Sequence, residues 1–325
     1  MRTLRDSRPR EGTECGGDEQ GMAWPARIRL AVDGVIARED PALFEALLTL
    51  ARQARLVFFA GLPGTGKSLL IHQLAHLAHA RGRRIHLLQW DVARSVFEAS
   101  GPGGRYPQER GVTHGVIRLA VGRWARAALA RWHARHPGFE DVLIGETPFI
   151  GHRLIELARP HRDEAEPVLS AEWTRFVIPV PSRALRAHLE AERARRAREP
   201  LHRREQEDAP PEVLRDLWRQ LVGVARALGV ADPPARSDED VPYDPAIYRR
   251  VYERLLAHRH ARPLPLDTRL PAGDISAYDF RIPTVDVVPT EAEAARSIRD
   301  VEATYPDPGV LQREIDGWYR TPSCP

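Results

Sequence analysis

The chain has 325 residues, of which 42% are hydrophobic and 29% charged, and its formal net charge is +3. This composition supports a buried core and excludes global disorder, and the sequence lacks the run of about 18 apolar residues that a membrane-spanning helix needs. The near balance of charges argues against a nucleic-acid coat protein or a polybasic membrane anchor. Cys15 and Cys324 lie in opposite tails, and the N-terminus has no apolar signal segment, so we expect a cytoplasmic protein.

The basic residues are strongly biased towards arginine. Of the 48 basic residues, 47 are arginine, and the one lysine is Lys67; the sequence contains no asparagine. A GC-rich coding bias disfavours the codons of both lysine and asparagine. We therefore infer that Lys67 stands where a compact ammonium on a thin stem is required.

In chain order, residues 1–21 are polar and glycine-rich and are predicted to be a disordered tail, which leaves 22–325 as a single domain. Asp40 and Pro41 predict the start of a helix. The apolar run 56–60 is typical of a buried strand, and an amphipathic helix is predicted over 68–80. A second strand is predicted over 85–90.

A long helix is predicted from about residue 113 to 136, followed by further strands at 142–145 and 176–180, the latter weakened by Pro179. A helix and a turn are then predicted over 182–206, with further helices after Pro210 and after Asp244, a linker at 231–243 and a last strand at 264–266. Thr290 and Glu293 form a capping box for a final helix. Strands alternating with helices predict an α/β fold, with a doubly wound and mostly parallel sheet, helical additions at about 100–136 and 182–260, and a helix-rich C-terminal part.

Residues 61–68, GLPGTGKS, match the pattern G-x-x-x-x-G-K-[ST] between a predicted strand and a predicted helix. Glycines at this spacing let backbone N–H groups turn inward and cradle phosphates. The ammonium of Lys67 would reach the β- and γ-phosphate oxygens, and the hydroxyl of Ser68 would bind Mg²⁺. The predicted nucleotide-binding residues here are Gly61, Leu62, Pro63, Gly64, Thr65, Gly66, Lys67, Ser68 and Leu69.

Two carboxylates are predicted at the carboxyl ends of strands, where ligands bind in open α/β sheets. Asp91, in the segment WDVAR, could accept a proton from an acceptor hydroxyl, and Arg94 could hold an anionic substrate or the transferred phosphoryl group. Glu146 would bind Mg²⁺ through water. His152 and Arg153, which follow closely, could line the acceptor pocket or lie on the surface. The structural alternatives are an Asp91 that only caps the next helix and a Glu146 that is merely solvated.

An arginine-rich segment follows the predicted strand at 176–180. One or two of its arginines, with Arg193 and Arg196 as candidates, could form a lid over the nucleotide and neutralise charge in the transition state. The alternative is a solvated helix face laced with ion pairs such as that of Glu192 with Arg196.

From Gly61 onward the chain resembles the P-loop small-molecule kinases of the zeta-toxin and adenylylsulfate-kinase type. The resemblance depends on GLPGTGKS, on the carboxylate of WDVAR and on the later arginine-rich segment, and it is closest over residues 55–95. It implies ATP, Mg²⁺ and transfer of the γ-phosphoryl group to a hydroxyl, with Asp91 as the acceptor-binding base and with Thr65, Lys67 and Ser68 holding nucleotide and metal. The predicted catalytic residues are Lys67, Asp91, Glu146 and Arg94. The sequence departs from the family in having GETP where a run ending in aspartate is usual. Residues 100–136 and the segment after 205 match no substrate-specific subfamily, which leaves the acceptor open.

Two other functions stay open at this point. One is a P-loop ATPase that acts as a switch or a partner-binding module; the other is a kinase of nucleic-acid 5′-hydroxyl groups, against which the balanced charge argues. A guanine-specific N/T-K-x-D signature is impossible, because Lys67 is the only lysine, and this favours ATP. The oligomeric state is not predicted.

Overall fold

The computed structural model describes residues 35–109, 111–207, 209–230, 241–271 and 276–320. The predicted tail (1–21) and most of the predicted linker (231–243) lie outside these ranges. Within them, none of the helices has the length and apolar character needed to cross a membrane.

The described residues contain one sheet of parallel strands. The strands are β1 (Leu56–Ala60), β2 (Arg84–Leu88), β3 (Asp141–Thr147), β4 (Thr174–Pro181), β5 (Ala261–Leu266) and β6 (Thr284–Asp286). Their order is β5-β4-β1-β3-β2-β6, and all neighbouring pairs are parallel. The predicted α/β fold with a parallel sheet is confirmed, and β6 is a strand that the sequence did not predict.

Helices cover both faces of this sheet. They are α1 (Pro41–Gln53), α2 (Lys67–His79), α3 (Trp90–Ala99), α4 (Gly115–Arg135), α5 (Glu166–Leu169), α6 (Arg183–Arg198), α7 (Pro211–Ala227), α8 (Pro245–Leu255), α9 (Glu291–Thr304) and α10 (Pro308–Asp316). Short 3₁₀ helices lie at Ile36–Glu39, Gly103–Arg105, Ile155–Leu157 and Arg203–Glu207.

The predicted helix starts are confirmed where the sequence carries a capping signal. Asp40 accepts a hydrogen bond from the Leu43 N–H at 3.0 Å at the start of α1. Thr290 and Glu293 form the predicted capping box of α9. The strands predicted at 142–145, 176–180 and 264–266 are longer in the structure than the sequence indicated. The boundary that matters for the site is that β2 ends at Leu88, so Asp91 lies in the first turn of α3 and not at the end of the strand. The reason is that the apolar Trp90, predicted as the end of the strand, is buried as the first residue of α3.

The course of the chain through the sheet changes face between β1 and its neighbour β3. The side chains of β1 alternate between two cores: Val57 and Phe59 pack with α1 and α2, whereas Phe58 packs with α3, α4 and α8. The chain leaves β1 towards the first face, while it leaves the neighbouring β3 towards the second, where Phe149 is buried. Such a switch point is where open α/β sheets bind ligands, and residues 61–68 lie there.

Candidate functional site

Residues 61–68, called the phosphate loop from here on, connect β1 to α2 in a tight turn. Gly64 and Gly66 have φ of +74° and +85°, in the left-handed region that only glycine enters at little cost. The Gly61 N–H donates to the carbonyl of Thr147 at 3.2 Å, which ties the start of the loop to β3. The Thr65 hydroxyl donates to the Leu62 carbonyl at 2.9 Å and closes the turn.

Lys67 places a buried ammonium inside this loop. Its residue exposure is 5%, and Nζ donates to the carbonyl of Leu62 at 2.9 Å. An ammonium has three N–H donors, and among the described residues this carbonyl is the one acceptor it meets. Burial lowers the pKa of Lys67 to about 8, although the charge of Glu146 opposes the shift. A buried cation with donors to spare fits a polyanionic ligand such as a nucleotide phosphate chain.

Three helices from the C-terminal half hold the phosphate loop from outside. Arg186 of α6 is buried and donates from Nη1 to the Pro63 carbonyl at 3.0 Å. Leu214 of α7 approaches Gly64 so closely that a Cβ there would be 3.2 Å from its Cδ1. Tyr248 of α8 lies against Gly61, where a Cβ would be 2.1 Å from the Tyr248 hydroxyl oxygen. The loop is therefore fixed by tertiary contacts as well as by its own glycines.

Glu146 lies next to the phosphate loop, on the neighbouring strand. It is the second-last residue of β3 and pairs in register with Phe59, two residues before Gly61. It is half-buried, and after burial its charge has the largest influence on the pKa of Lys67. The structure thus brings Glu146, Lys67 and Ser68 to one end of the sheet. A carboxylate and a hydroxyl are oxygen ligands of the kind that Mg²⁺ takes.

Asp91 and Arg94 lie one turn apart at the start of α3. The side chain of Asp91 is 70% exposed, and its Oδ1 is 3.2 Å from Nη2 of Arg94. Arg94 also donates to both oxygens of Glu98, at 3.0 and 2.9 Å, so its guanidinium is held by its own helix. The charge of Asp91 acts on Lys67 as well, in the direction that raises the lysine pKa. Asp91 is therefore near enough to the phosphate loop for its charge to act on Lys67, while Arg94 is engaged by carboxylates.

The predicted arginine lid corresponds to α6, and its residues differ in what they contact. Arg186 touches the phosphate loop, as described above. The positive charge of Arg193, two turns further along, lowers the pKa of Lys67. By contrast, Arg195 pairs with Glu192 at 2.9 Å on the exposed side. A role of Arg196 in nucleotide binding stays a prediction.

The segment that follows β3, residues 148–154, is called the β3 loop from here on. Phe149, His152 and Leu154 have φ of 59°, 67° and 63°, which is uncommon for residues other than glycine. Phe149 and Arg153 exchange two backbone hydrogen bonds, at 2.9 and 3.0 Å, which makes the turn tight. Strained residues of this kind persist only where the surroundings determine them, and they concentrate at functional sites.

Buried polar contacts hold the β3 loop in this conformation. The fully buried imidazole of His152 lies between two carboxylates: its Nδ1 is 3.3 Å from Glu156 and its Nε2 is 3.4 Å from Glu314 of α10. Burial raises the pKa of Glu156, whereas His152 and Arg159 lower that of Glu314 to about 2. The Tyr252 hydroxyl of α8 donates to the Pro148 carbonyl at 2.9 Å.

One group of potential metal ligands lies at the opposite end of the sheet. His86, His136 and Asp141 offer ligand atoms within 4.8 Å of one another near the amino ends of β2 and β3. Both carboxylate oxygens of Asp141 already accept from Arg84, at 2.8 and 2.5 Å. Arg84, together with His86, lowers the pKa of Asp141 far below its usual range. A metal would have to displace this arginine, so we interpret the group as an ion-pair network.

The phosphate loop and its strand–loop–helix setting were predictable because their signals are local in the sequence. Comparison of the chain with models of protein families, with curated proteins and with solved structures found no match. The site therefore has to be interpreted from its own geometry.

Sequence reasoning missed the tyrosines of α8 and the strain of the β3 loop. It named Arg153 as a residue that could line the acceptor pocket, but it did not name Arg118, whose contacts are described below. No local pattern distinguishes the two tyrosines or Arg118, because each contacts a segment that is distant in the sequence.

Proposed function

We propose that this protein is an ATP-dependent phosphotransferase that moves the γ-phosphoryl group of ATP to a hydroxyl of a small molecule. The observation that carries the proposal is the buried ammonium of Lys67, with its one acceptor among the described residues, inside a loop bent by left-handed Gly64 and Gly66. A resemblance to P-loop small-molecule kinases in the same residues supports it.

In this proposal the phosphate loop binds the phosphate chain of ATP through its backbone N–H groups and Lys67. Ser68 and Glu146 would hold Mg²⁺, which when bound neutralises phosphate charge. Arg193 approaches from α6 and adds positive charge on the lid side. Such a reaction depends on positioning and charge neutralisation more than on covalent chemistry by the protein.

Asp91 would accept the proton of the acceptor hydroxyl. Its carboxylate is exposed, and its charge acts on Lys67, so it is accessible to an acceptor next to the phosphate chain. It stands in the first turn of α3, where a helix N-terminus attracts negative charge. Arg94, one turn further on, steadies this carboxylate at 3.2 Å.

The test is transfer of labelled phosphate from ATP to a metabolite pool, followed by identification of the labelled product. Asp91→Asn should leave the affinity for Mg·ATP within a few-fold and lower transfer by about a hundredfold, the usual scale of general-base catalysis. Glu146→Gln should instead weaken the dependence on magnesium.

Asp216→Asn is a matched control for Asp91→Asn. Asp216 is also an exposed aspartate that pairs with an arginine three residues on, in α7. It lies two residues beyond Leu214, hence on the opposite side of α7 from the residue that touches the phosphate loop. Equal loss of transfer in both variants, or ATP turnover that no metabolite stimulates, would contradict the proposed phosphotransferase.

A further inference from the structure

Arg118 of α4 and Arg153 of the β3 loop, called the arginine pair from here on, bring two guanidinium groups together beside the candidate site. A Cβ built on Gly151 would be 3.0 Å from Nη1 of Arg118 and 3.2 Å from Nη1 of Arg153. The two positively charged groups therefore meet at one point of the β3 loop. Both side chains are half-buried, so water screens their repulsion only in part.

The hydrogen bonds of the arginine pair leave most of its donors unused. Arg118 donates to the carbonyl of Gly151, and Arg153 donates to the carbonyl of Ile150 at 2.9 Å. In the described ranges neither arginine forms an ion pair, although each guanidinium has five N–H donors. Asp316 and Asp91 act on the pair only as more distant charges, the first on Arg118 and the second on Arg153.

Two other buried arginines of the molecule have more hydrogen-bond partners than the arginine pair has. Arg126 pairs with Asp163 at 2.6 Å and with Glu166 at 2.8 Å. Arg83, which has no such carboxylate, donates to three backbone carbonyls. The arginine pair has neither arrangement, which is typical of a site that completes its hydrogen bonds with an anionic ligand.

The position of Asp91 relates the arginine pair to the phosphate loop. The charge of Asp91 acts on Lys67 and also on Arg153, so the carboxylate lies within electrostatic range of both cationic groups. A molecule bound to the arginine pair would therefore place its neighbouring atoms within range of Asp91 and of the phosphate loop.

We propose that Arg118 and Arg153 bind an anionic group of the phosphoryl acceptor, and that the acceptor is therefore a hydroxyl compound that carries a phosphate, a sulfate or a carboxylate. This rests on the proposed function. The acceptor hydroxyl oxygen forms the new bond to the γ-phosphorus, and its proton passes to Asp91. The bond from the γ-phosphorus to the bridging oxygen breaks, and ADP leaves with that electron pair.

Equilibrium dialysis with radiolabelled sulfate tests the anion site without nucleotide. The phosphate loop is first disabled by Lys67→Ala, which should still bind one sulfate per chain. Adding Arg153→Gln should weaken that binding at least about tenfold, because a charge-assisted hydrogen bond is lost. Adding Arg135→Gln, an exposed arginine of the same helix as Arg118, should change nothing. Absence of sulfate binding to Lys67→Ala, or unchanged binding after Arg153→Gln, would overturn the anion site.

A second measurement uses the unaltered chain and does not depend on variants that fold. Phenylglyoxal modifies arginines, and mass spectrometry locates the modified residues. Sulfate should protect Arg118 and Arg153 from modification and leave Arg135 reactive. Equal modification of all three arginines with and without sulfate would count against the pair.

The acceptor class is tested by transfer from ATP to hydroxyl compounds that carry a phosphate, a sulfate, a carboxylate or no charge. Charged compounds should be phosphorylated, and Arg153→Gln should raise their KM at least about tenfold while the KM for ATP stays unchanged. If ATP is bound but only uncharged compounds are phosphorylated, the inference falls and the proposed function stands. If the protein does not bind ATP at all, the proposed function is wrong, and the proposed role of the arginine pair in acceptor binding is wrong as well.

Discussion

The phosphate loop and the β3 loop follow two neighbouring parallel strands, and both turn back sharply through left-handed backbone conformations. In the phosphate loop the left-handed residues are Gly64 and Gly66, whereas in the β3 loop they include Phe149, His152 and Leu154. Glycine adopts this conformation at little cost, but other residues need compensation from their surroundings. The first loop is therefore shaped largely by its own sequence and the second by the rest of the molecule.

Helix α8 links the two loops. Tyr248 lies against Gly61 of the phosphate loop, and Tyr252, one turn further along, donates to Pro148 of the β3 loop. Their rings are 4.9 Å apart between centroids. Because the two tyrosines pack on each other, a shift of α8 would move both loops together. Four sets of substitutions test this difference between the loops. They follow in order of the size of the expected effect on ligand affinity or stability.

The largest effect is expected from Lys67→Met, which removes the buried ammonium and keeps a long apolar stem. We expect ATP affinity to fall at least a hundredfold by calorimetry, because the charged contact to phosphate is lost. The ligand-free variant should be more stable than the unaltered protein by about 1–2 kcal/mol near pH 7, because burial penalises the charged lysine.

The sign of the pH dependence checks the same prediction. The pKa of Lys67 is about 8 in the folded protein, against 10.5 for an ordinary lysine. As the pH rises, Lys67 therefore loses its proton in the native state before it does so in the unfolded state. The stability advantage of Lys67→Met over the unaltered protein should shrink between about pH 8 and 10. Unfolding by urea at several pH values measures this. Unchanged ATP affinity would disprove the assignment of the phosphate loop.

The second effect concerns the close approach of α8 to the phosphate loop. Gly61→Ala should destabilise the protein by about 2 kcal/mol, because the new methyl group overlaps the Tyr248 hydroxyl. Tyr248→Phe removes that oxygen, and in combination with Gly61→Ala it should recover at least half of the loss. A double-mutant cycle from thermal unfolding gives the coupling. Strictly additive effects would show that α8 does not limit the residue at position 61.

The third effect separates backbone conformation from packing. Gly66→Ala meets no atom nearer than 3.9 Å, so its cost of about 1–2 kcal/mol should come from the left-handed backbone alone. Gly223→Ala, inside α7, has open space and no positive φ, and should stabilise the protein by about 0.5–1 kcal/mol. Changes of the same sign in both variants would contradict the assigned role of Gly66.

The smallest effect on stability is expected from the ionic contact between Glu314 and His152 of the β3 loop. The pKa of Glu314 is about 2 in the folded protein, so its contribution to stability is present above about pH 4.5 and is lost as the pH falls towards 2. Because about a third of its side chain is exposed, we expect this contribution to be about 1 kcal/mol. Glu314→Gln should remove that part of the acid sensitivity. An identical profile of stability against pH would show that His152 does not depend on Glu314.

The sequence by itself determined the phosphate loop, the α/β class and the capped helix starts. Each of these signals is local: the glycines and Lys67 fall within eight residues, and Thr290 and Glu293 within a single helical turn. Backbone conformational preference and hydrophobic periodicity act over such short distances, so they can be recognised without knowing the fold.

The tertiary structure alone decided the strained β3 loop, the arginine pair and the way α8 holds both loops. The ring of His152 lies beside Glu314, which is far along the chain, and Arg118 meets Arg153 only because α4 passes next to the β3 loop. The order of the strands, with β3 between β1 and β2, brings Glu146 beside the phosphate loop. The physical reason is that charge, burial and hydrogen bonding depend on distance in space, which the packing of the whole chain sets.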